Sequence, residues 1–264
     1  MKDNPRPEGE GQDSTKRGGK LFVVGIGPGG PLDRTHRAEQ AVAESEVVVG
    51  YTRYLSLITD LTGGKELISS GMTKERERCR AAIEKARQGR IVALISSGDA
   101  GIYGMAGLAV EMAEVDGDAV PIEIVPGITA AGAAAAKLGA PLMLDFACIS
   151  LSDLLVPWET IRQRLDAVAS ADLVVALYNP RSKKRTNQLE EAAKIFLKYR
   201  NGGTPVGIGT AVGTPDERIT IATLDNFLHL DINMRSIVLI GNRSSRIVRG
   251  FFVTPRGYRV SVTQ

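Results

Sequence analysis

The sequence predicts an α/β fold divided into two domains near residues 125–130. Three observations carry that expectation. Short apolar runs end in glycine-rich turns and alternate with helix-period segments, a pattern that builds a mainly parallel sheet covered on both faces. Pro126-Gly127 breaks the alternation near mid-chain. The 264 residues suit one large domain or two of ordinary size.

The elements follow in order. LFVVGIG (21–27) is a buried strand feeding a glycine turn, and 33–44 is a helix with Ala38, Ala41 and Val42 on one stripe. EVVVGY (46–51) is a strand, 53–61 a helix and 66–68 a short strand. Residues 73–89 form an amphipathic helix, with Cys79, Ile83 and Ala86 inward and Gly89 placed to end it. RIVALISSG (90–98) is the best central strand, then a helix at 105–115 and a strand at 122–125. The second part opens with a small-residue helix (129–139) and a strand over 143–150. A helix at 158–169, a strand at 173–178 and a helix at 187–199 come next. Strands are expected at 204–210, 218–222 and 236–241, and a hairpin over 248–262 turning at Pro255-Arg256-Gly257.

Composition narrows the class. Hydrophobic residues at 43% and charged residues at 24% describe a soluble globular protein and exclude fibrous, coiled-coil and disordered classes. Residues 1–19, charged and rich in Gly and Pro, are expected to be a disordered tail without the apolar core of a secretory signal. No apolar run approaches the ~18 residues of a membrane helix, so no membrane association is expected. Cys79 and Cys148 are the only cysteines and form no CxxC pair, which disfavours a metal site and points to a reducing, cytoplasmic setting.

The net charge of +3 is too balanced to imply nucleic acid. Its distribution is uneven. No acidic residue follows Asp231, whereas Arg235, Arg243, Arg246, Arg249, Arg256 and Arg259 do. Arg181, Lys183, Lys184 and Arg185 form a second basic knot, so an anionic partner is expected.

Glycine clusters mark where ligands could lie. Gly25, Gly27 and Gly30 form a GxGxxG after a strand, yet Pro28 and Pro31 interrupt the stretch that a dinucleotide site needs as helix. The next strand also lacks a terminal carboxylate for a ribose, so a nucleotide-dependent oxidoreductase is only the rival class. SSGDAGIYGMAG (96–107) follows the central strand, where open α/β sheets bind ligands, with Ser97, Asp99 and Tyr103 as polar groups. Thr129 stands at a helix start, and YNPR (178–181) closes a strand with Asn179 able to donate and accept. Neither His36 nor His229 is paired with an evident nucleophile, so covalent catalysis is not expected. A bound cofactor beside a basic cavity fits reactions that depend on alignment and desolvation.

Several strings are more specific. VGIGPGGP (24–31), VVGYTRYL (48–55), ISSGMTKERERC (68–79) and SSGDAGIYGMAG (96–107) are joined by ISLSDLLVPWETIRQRL (149–165) and LYNPRSKKRTNQLEEA (177–192). With them the chain from about Lys20 to Tyr258 resembles the tetrapyrrole methylase family, the class III S-adenosylmethionine-dependent methyltransferases, and within it the C17-methylating branch.

The resemblance implies a mainly parallel sheet in 20–126, a mixed sheet in 127–264, an active site in the cleft between them and a homodimer. It implies S-adenosylmethionine as cofactor and an anionic tetrapyrrole as substrate. The implied reaction is methylation at C17 of precorrin-3B or cobalt-factor III with ring contraction, the alternative being another tetrapyrrole carbon. The implied cofactor wall is Gly98, Asp99, Ala100, Ile102, Tyr103 and Met105, with Thr129 and Ala130 beside it. Cys148, Ile149, Tyr178 and Asn179 approach from the second domain, and Ala211 and Val212 reach the adenine region. Gly27, Pro28 and Gly29 are expected on the tetrapyrrole side, with Lys183, Arg185 and Arg243 as clamps for its carboxylates. Asp99, Ser97, His36 and Asp153 are the acid–base candidates on chemical grounds. Asp99→Ala is expected to weaken cofactor binding with little effect on folding. The stretch GTAVGTPDERITIATL (209–224) departs from the RNAG-R-x-x-E pattern common in that branch, which bears on contacts around 209–215.

Overall fold

The computed structural model describes residues 18–115, 120–182 and 185–258. Residues 1–17 of the expected tail and Lys183 lie outside them. In the first domain β1 (Lys20–Gly25), α1 (His36–Glu44), β2 (Val47–Tyr51) and α2 (Thr52–Leu55) come first. They are followed by β3 (Glu66–Ser70), α3 (Glu75–Arg87), β4 (Ile91–Ser96), α4 (Ala106–Val115) and β5 (Ile122–Val125). The sheet order is β3-β2-β4-β1-β5, and each adjacent pair is parallel.

Both faces of this sheet are covered, which is why β1, β2 and β4 read as unbroken apolar runs. Leu21, Val23, Val47, Val49, Val92 and Leu94 pack on Cys79 and Ile83 of α3 and Ala109 of α4. Phe22, Val24, Val48 and Ile95 pack on Ala38 and Val42 of α1 and Leu55 of α2. Each fully buried Val, Leu, Ile or Phe contributes about 1.5–3 kcal/mol of hydrophobic stabilisation. α1 starts later than its periodicity suggests. Pro31–Asp33 form a 3-10 turn, and Thr35 then caps α1, its Oγ1 accepting from Ala38 N at 3.1 Å.

The second domain contains α5 (Ala130–Leu138), β6 (Gly139–Ala140), β7 (Phe146–Ser150), α6 (Trp158–Ser170), β8 (Val174–Tyr178) and α7 (Gln188–Leu197). β9 (Pro205–Thr210), β10 (Arg218–Thr223), β11 (Ser236–Ile240), β12 (Arg246–Val248) and β13 (Phe251–Val253) complete it. Its main sheet has the order β10-β9-β11-β8-β7. β7 and β8 are parallel, whereas β11 runs antiparallel to both neighbours and β10 antiparallel to β9. β7, β8 and β9 therefore point the same way and end on one edge, at Ser150, Tyr178 and Thr210.

α5 covers one face, with Ala131, Ala134 and Leu138 against Ala176, Ile237 and Leu239. The approach is close. A Cβ on Gly207 would stand 2.5 Å from Leu138 Cδ1, and one on Gly209 2.9 Å from Ala134 Cβ. α6 and α7 cover the other face, packing Leu165, Ala192 and Phe196 on Val175, Leu177, Val206 and Ile208.

Two local expectations are corrected. β7 begins at Phe146 rather than Met143, and Gly139–Ala140 instead form β6 and pair with β13. The terminal hairpin joins β12 to β13 and turns at Arg249-Gly250, not at Pro255-Arg256-Gly257. Both turn residues are left-handed, with φ of 51° and 82°, the geometry that a tight two-residue hairpin demands.

Candidate active site

The carboxyl ends of the two sheets face one another. Three backbone segments converge there in the first domain: the turns after β1, β4 and β5. Gly27 and Gly98 exchange backbone hydrogen bonds, Gly98 N to Gly27 O at 2.7 Å and Gly27 N to Gly98 O at 3.1 Å. A Cβ on Gly127 would fall 2.2 Å from Gly98 O and 2.6 Å from Gly25 O. Glycine is required at 127 because three chains meet without room for a side chain.

Asp99 holds this junction. Its Oδ1 accepts from Gly101 N at 2.8 Å and its Oδ2 from Gly127 N at 3.0 Å. Both oxygens are thus engaged by backbone amides, leaving only their remaining lone pairs for a ligand. Asp99 thus builds the loop that a ligand would meet and still offers that ligand a lone pair on each oxygen.

Tyr103 crosses between the domains and meets Tyr178 of the second domain. Tyr103 is left-handed (φ 53°) and donates its hydroxyl to Cys148 O of β7 at 3.0 Å. Tyr178, at the end of β8, accepts from Ala131 N at 3.1 Å and shares a hydrogen with Thr129 Oγ1 at 2.5 Å. The two rings lie 5.0 Å apart and tilted by 53°. Burial raises the pKa of both phenols. Burial likewise raises that of the Cys148 thiol, which keeps it neutral at physiological pH.

Left-handed residues gather on these edges: Gly27, Gly98, Tyr103, Asn179 and Ala211. For a tyrosine, an asparagine and an alanine that conformation costs about 1 kcal/mol or more, and such strain clusters at functional sites. Asn179 is held from two sides. Its Nδ2 donates to Ser150 Oγ at 3.0 Å, and its carbonyl accepts from Arg185 Nη2 at 2.9 Å.

The loop after β9 closes the far side. Gly213 packs against Pro28, with a Cβ there 3.1 Å from Pro28 Cγ, and a Cβ on Gly29 would strike Thr214 Cγ2 at 2.4 Å. Pro28 and Gly29 therefore meet the second domain through 213–214, beside Ala211 and Val212, while Gly27 lies against Asp33. Within the cofactor-wall set, Ala100, Met105 and Ile149 direct their side chains into the domain cores, so only their backbone is presented. Ile102 and Tyr103 are exposed, while Ala130 and Cys148 are half-buried on the α5 face. Ser97 is half-buried between β4 and Gly98.

The histidine and basic candidates are redistributed. His36 opens α1 with its ring wholly in solvent and Nδ1 3.9 Å from Glu39, so the structure does not bring it to Asp99. Arg243 follows β11, and β11 is antiparallel to β8, so Arg243 lies on the opposite edge of the sheet from Asn179. There its Nε donates to Tyr199 O and its N to Asp172. On the ligand edge the corresponding cation is Arg235, which precedes β11 and pairs with Asp216 at 2.9 Å. It lines a cavity of about 450 Å³ with Thr210, Arg218 and Asn233. Sequence reasoning missed Ser96 and Ser150. Ser96 Oγ accepts from Met105 N at 3.2 Å, and both serines end strands, the one signal that could have marked them.

The family model for tetrapyrrole (corrin/porphyrin) methylases matches residues 20–228. The chain belongs to the tetrapyrrole methylase family. Two curated relatives of this methylase are close. The cobalt-factor III methyltransferase of Priestia megaterium is 45% identical over 249 residues, covering 93% of this chain and 46% of that protein. The chain thus spans about half the length of that relative. The probable cobalt-factor III C(17)-methyltransferase of Salmonella typhimurium is 46% identical over 238 residues, covering 90% of this chain and 99% of that protein. The crystal structure of the methyltransferase CobJ aligns with a TM-score of 0.85 at 37% identity, over 90% of this chain and all of that one.

The cleft of this tetrapyrrole methylase is chemically suited to S-adenosylmethionine. Bare backbone at Gly98 allows close approach, Tyr103 and Tyr178 offer π faces to a sulfonium, and Ile102 and Ile128 are exposed apolar surface.

Proposed function

We propose that this methylase transfers a methyl group to C17 of precorrin-3B or cobalt-factor III, with ring contraction to precorrin-4 or cobalt-precorrin-4. The observation that carries the reading is the 46% identity extending over 99% of a probable C17-methyltransferase. The paired strand-end motifs SSGDAGIYGMAG and YNPRSKKR support it.

S-adenosylmethionine, when bound, supplies a methyl group activated by its sulfonium. The chain's part is to align and dehydrate, which can lower a barrier by several kcal/mol. The Gly98–Met105 loop, braced by Asp99, forms one wall, and Thr129, Ala130, Cys148, Ile149, Tyr178 and Asn179 form the other. Ala211 and Val212 close the adenine end. Gly27, Pro28, Gly29 and Arg185 face the macrocycle, and Ser97, Asp99 and Asp153 are the acid–base candidates for this cleft. Residues 20–126 and 127–264 are the two lobes that enclose it.

The test is incubation with methyl-labelled S-adenosylmethionine and each tetrapyrrole, followed by mass spectrometry and carbon NMR. Label at C17 of a contracted ring is expected; label at another carbon, or none, overturns the reading. We further infer a cytoplasmic homodimer. Light scattering that returned a monomer mass, or fractionation with membranes, would refute those two points. No described helix is long and apolar enough to cross a membrane.

A further inference from the structure

We propose that Arg181 and Arg185, with Gln188 beside them, form a recessed pocket for one carboxylate arm of the substrate. This deepens the proposed function and rests on it. Among the described residues, three buried side-chain atoms between the end of β8 and the first residue of α7 have no hydrogen-bond partner: Arg181 Nε, Arg185 Nε and Gln188 Oε1. Buried polar atoms are nearly always satisfied, so a group of orphans in one loop marks a partner still to arrive.

Arg185 is the anchor. It is only 7% exposed, and Nη2 is committed to Asn179 O at 2.9 Å, on the ligand edge. Among the described residues no carboxylate lies within ion-pair distance of it. Asp153 acts on its charge, yet Asp153 Oδ2 already accepts from Gln188 Nε2 at 2.9 Å. A cation buried without a counterion is costly, and an incoming carboxylate relieves that cost.

Arg181 is held more loosely, with Nη2 3.8 Å from Glu190 Oε1 and its side chain 26% exposed. A planar guanidinium fork matches a carboxylate bidentately, which a lysine cannot do. Gln188 and Arg185 share Asp153, and Arg181 stands four residues before Arg185 on the same connection from β8 to α7. The loop joins directly to Asn179, so a bound arm would also set the position of Tyr178 and the cofactor wall.

The test uses the full chain and cobalt-factor III, titrated by its absorbance, with S-adenosylhomocysteine titrated separately by calorimetry. Arg181→Gln, which loses only the loose contact to Glu190, is the variant expected to fold normally. Arg185→Lys keeps the buried charge while removing the fork. Arg181→Gln is expected to weaken cobalt-factor III binding by about tenfold or more, the scale of one charge-assisted hydrogen bond, with S-adenosylhomocysteine affinity unchanged. Arg185→Lys should weaken it as much, and because it also loses the bond to Asn179 O, its S-adenosylhomocysteine affinity should fall as well. KM should rise more than kcat falls. Esterifying the macrocycle's carboxylates should abolish the difference between variant and wild type. Wild-type affinity for cobalt-factor III in a folded Arg181→Gln protein would overturn the pocket while leaving the C17 reading intact. Failure of the wild type to bind or methylate the macrocycle would instead overturn the functional reading and the pocket with it.

Discussion

Replacing Asp99 by Ala removes the acceptor for two backbone amides from different segments, Gly101 N at 2.8 Å and Gly127 N at 3.0 Å. A hydrogen bond to a charged group contributes about 1.5–3 kcal/mol. The Gly101 amide is open to water, so its loss should cost about 1 kcal/mol, since solvent can replace the carboxylate. The Gly127 amide is half-buried where three chains meet, so its loss should cost about 2 kcal/mol. The sum, about 3 kcal/mol, is large for a half-exposed loop residue and departs from the sequence expectation of little effect on folding. Asp99→Asn keeps one carbonyl acceptor and should cost roughly half as much. Urea unfolding measures the stability change, and calorimetric titration with S-adenosylhomocysteine measures binding, which both variants should weaken. Wild-type unfolding midpoints in Asp99→Ala would refute the bracing role. Reduced stability with undiminished affinity would remove the loop from the cofactor site.

Gly127→Ala places a Cβ 2.2 Å from Gly98 O, and should destabilise by about 3 kcal/mol or more; Gly101→Ala, whose nearest atom is Asp99 Oδ1 at 3.3 Å, should cost far less, as thermal melting will show. Tyr178→Phe deletes the hydroxyl that serves Thr129 and Ala131 N, so stability should fall by about 1–2 kcal/mol and KM for S-adenosylmethionine should rise. Glu123 of β5, bonded to Lys20 at 2.7 Å and to Arg37 of α1, has its pKa held below the ordinary carboxylate value by those two partners. The unfolded chain therefore binds the proton first, so this contribution is present above the ordinary carboxylate pKa and is lost as pH falls through the lower, folded one. Glu123→Gln should accordingly lower the urea midpoint at neutral pH and lose less of it in acid than the wild type does.

The strands and helices of the first domain were legible because a sheet buried on both faces leaves uninterrupted apolar runs such as Val47–Val49 and Val92–Ile95. Ends were less so. The delayed start of α1 depended on the Pro31–Asp33 turn handing the cap to Thr35, and β6 depended on pairing with a strand more than a hundred residues away. In the candidate site, Asp99, Tyr103, Thr129, Tyr178 and Asn179 were identifiable as polar groups at strand ends. Their partners were not, because each bond except Asp99–Gly101 and Asn179–Arg185 joins segments distant in sequence.

By itself the sequence determined the alternation of strands and helices, the glycine-terminated turns and the motif strings that carry the family, since those are local properties of spacing and composition. Only the tertiary structure decided which side chains share the cleft. β11 lies between β8 and β9 and runs against both, which sends Arg243 to the far edge and brings Arg235 to the near one. Strand direction in a mixed sheet is set by hydrogen-bond pairing between remote segments, and no local pattern of residues encodes it.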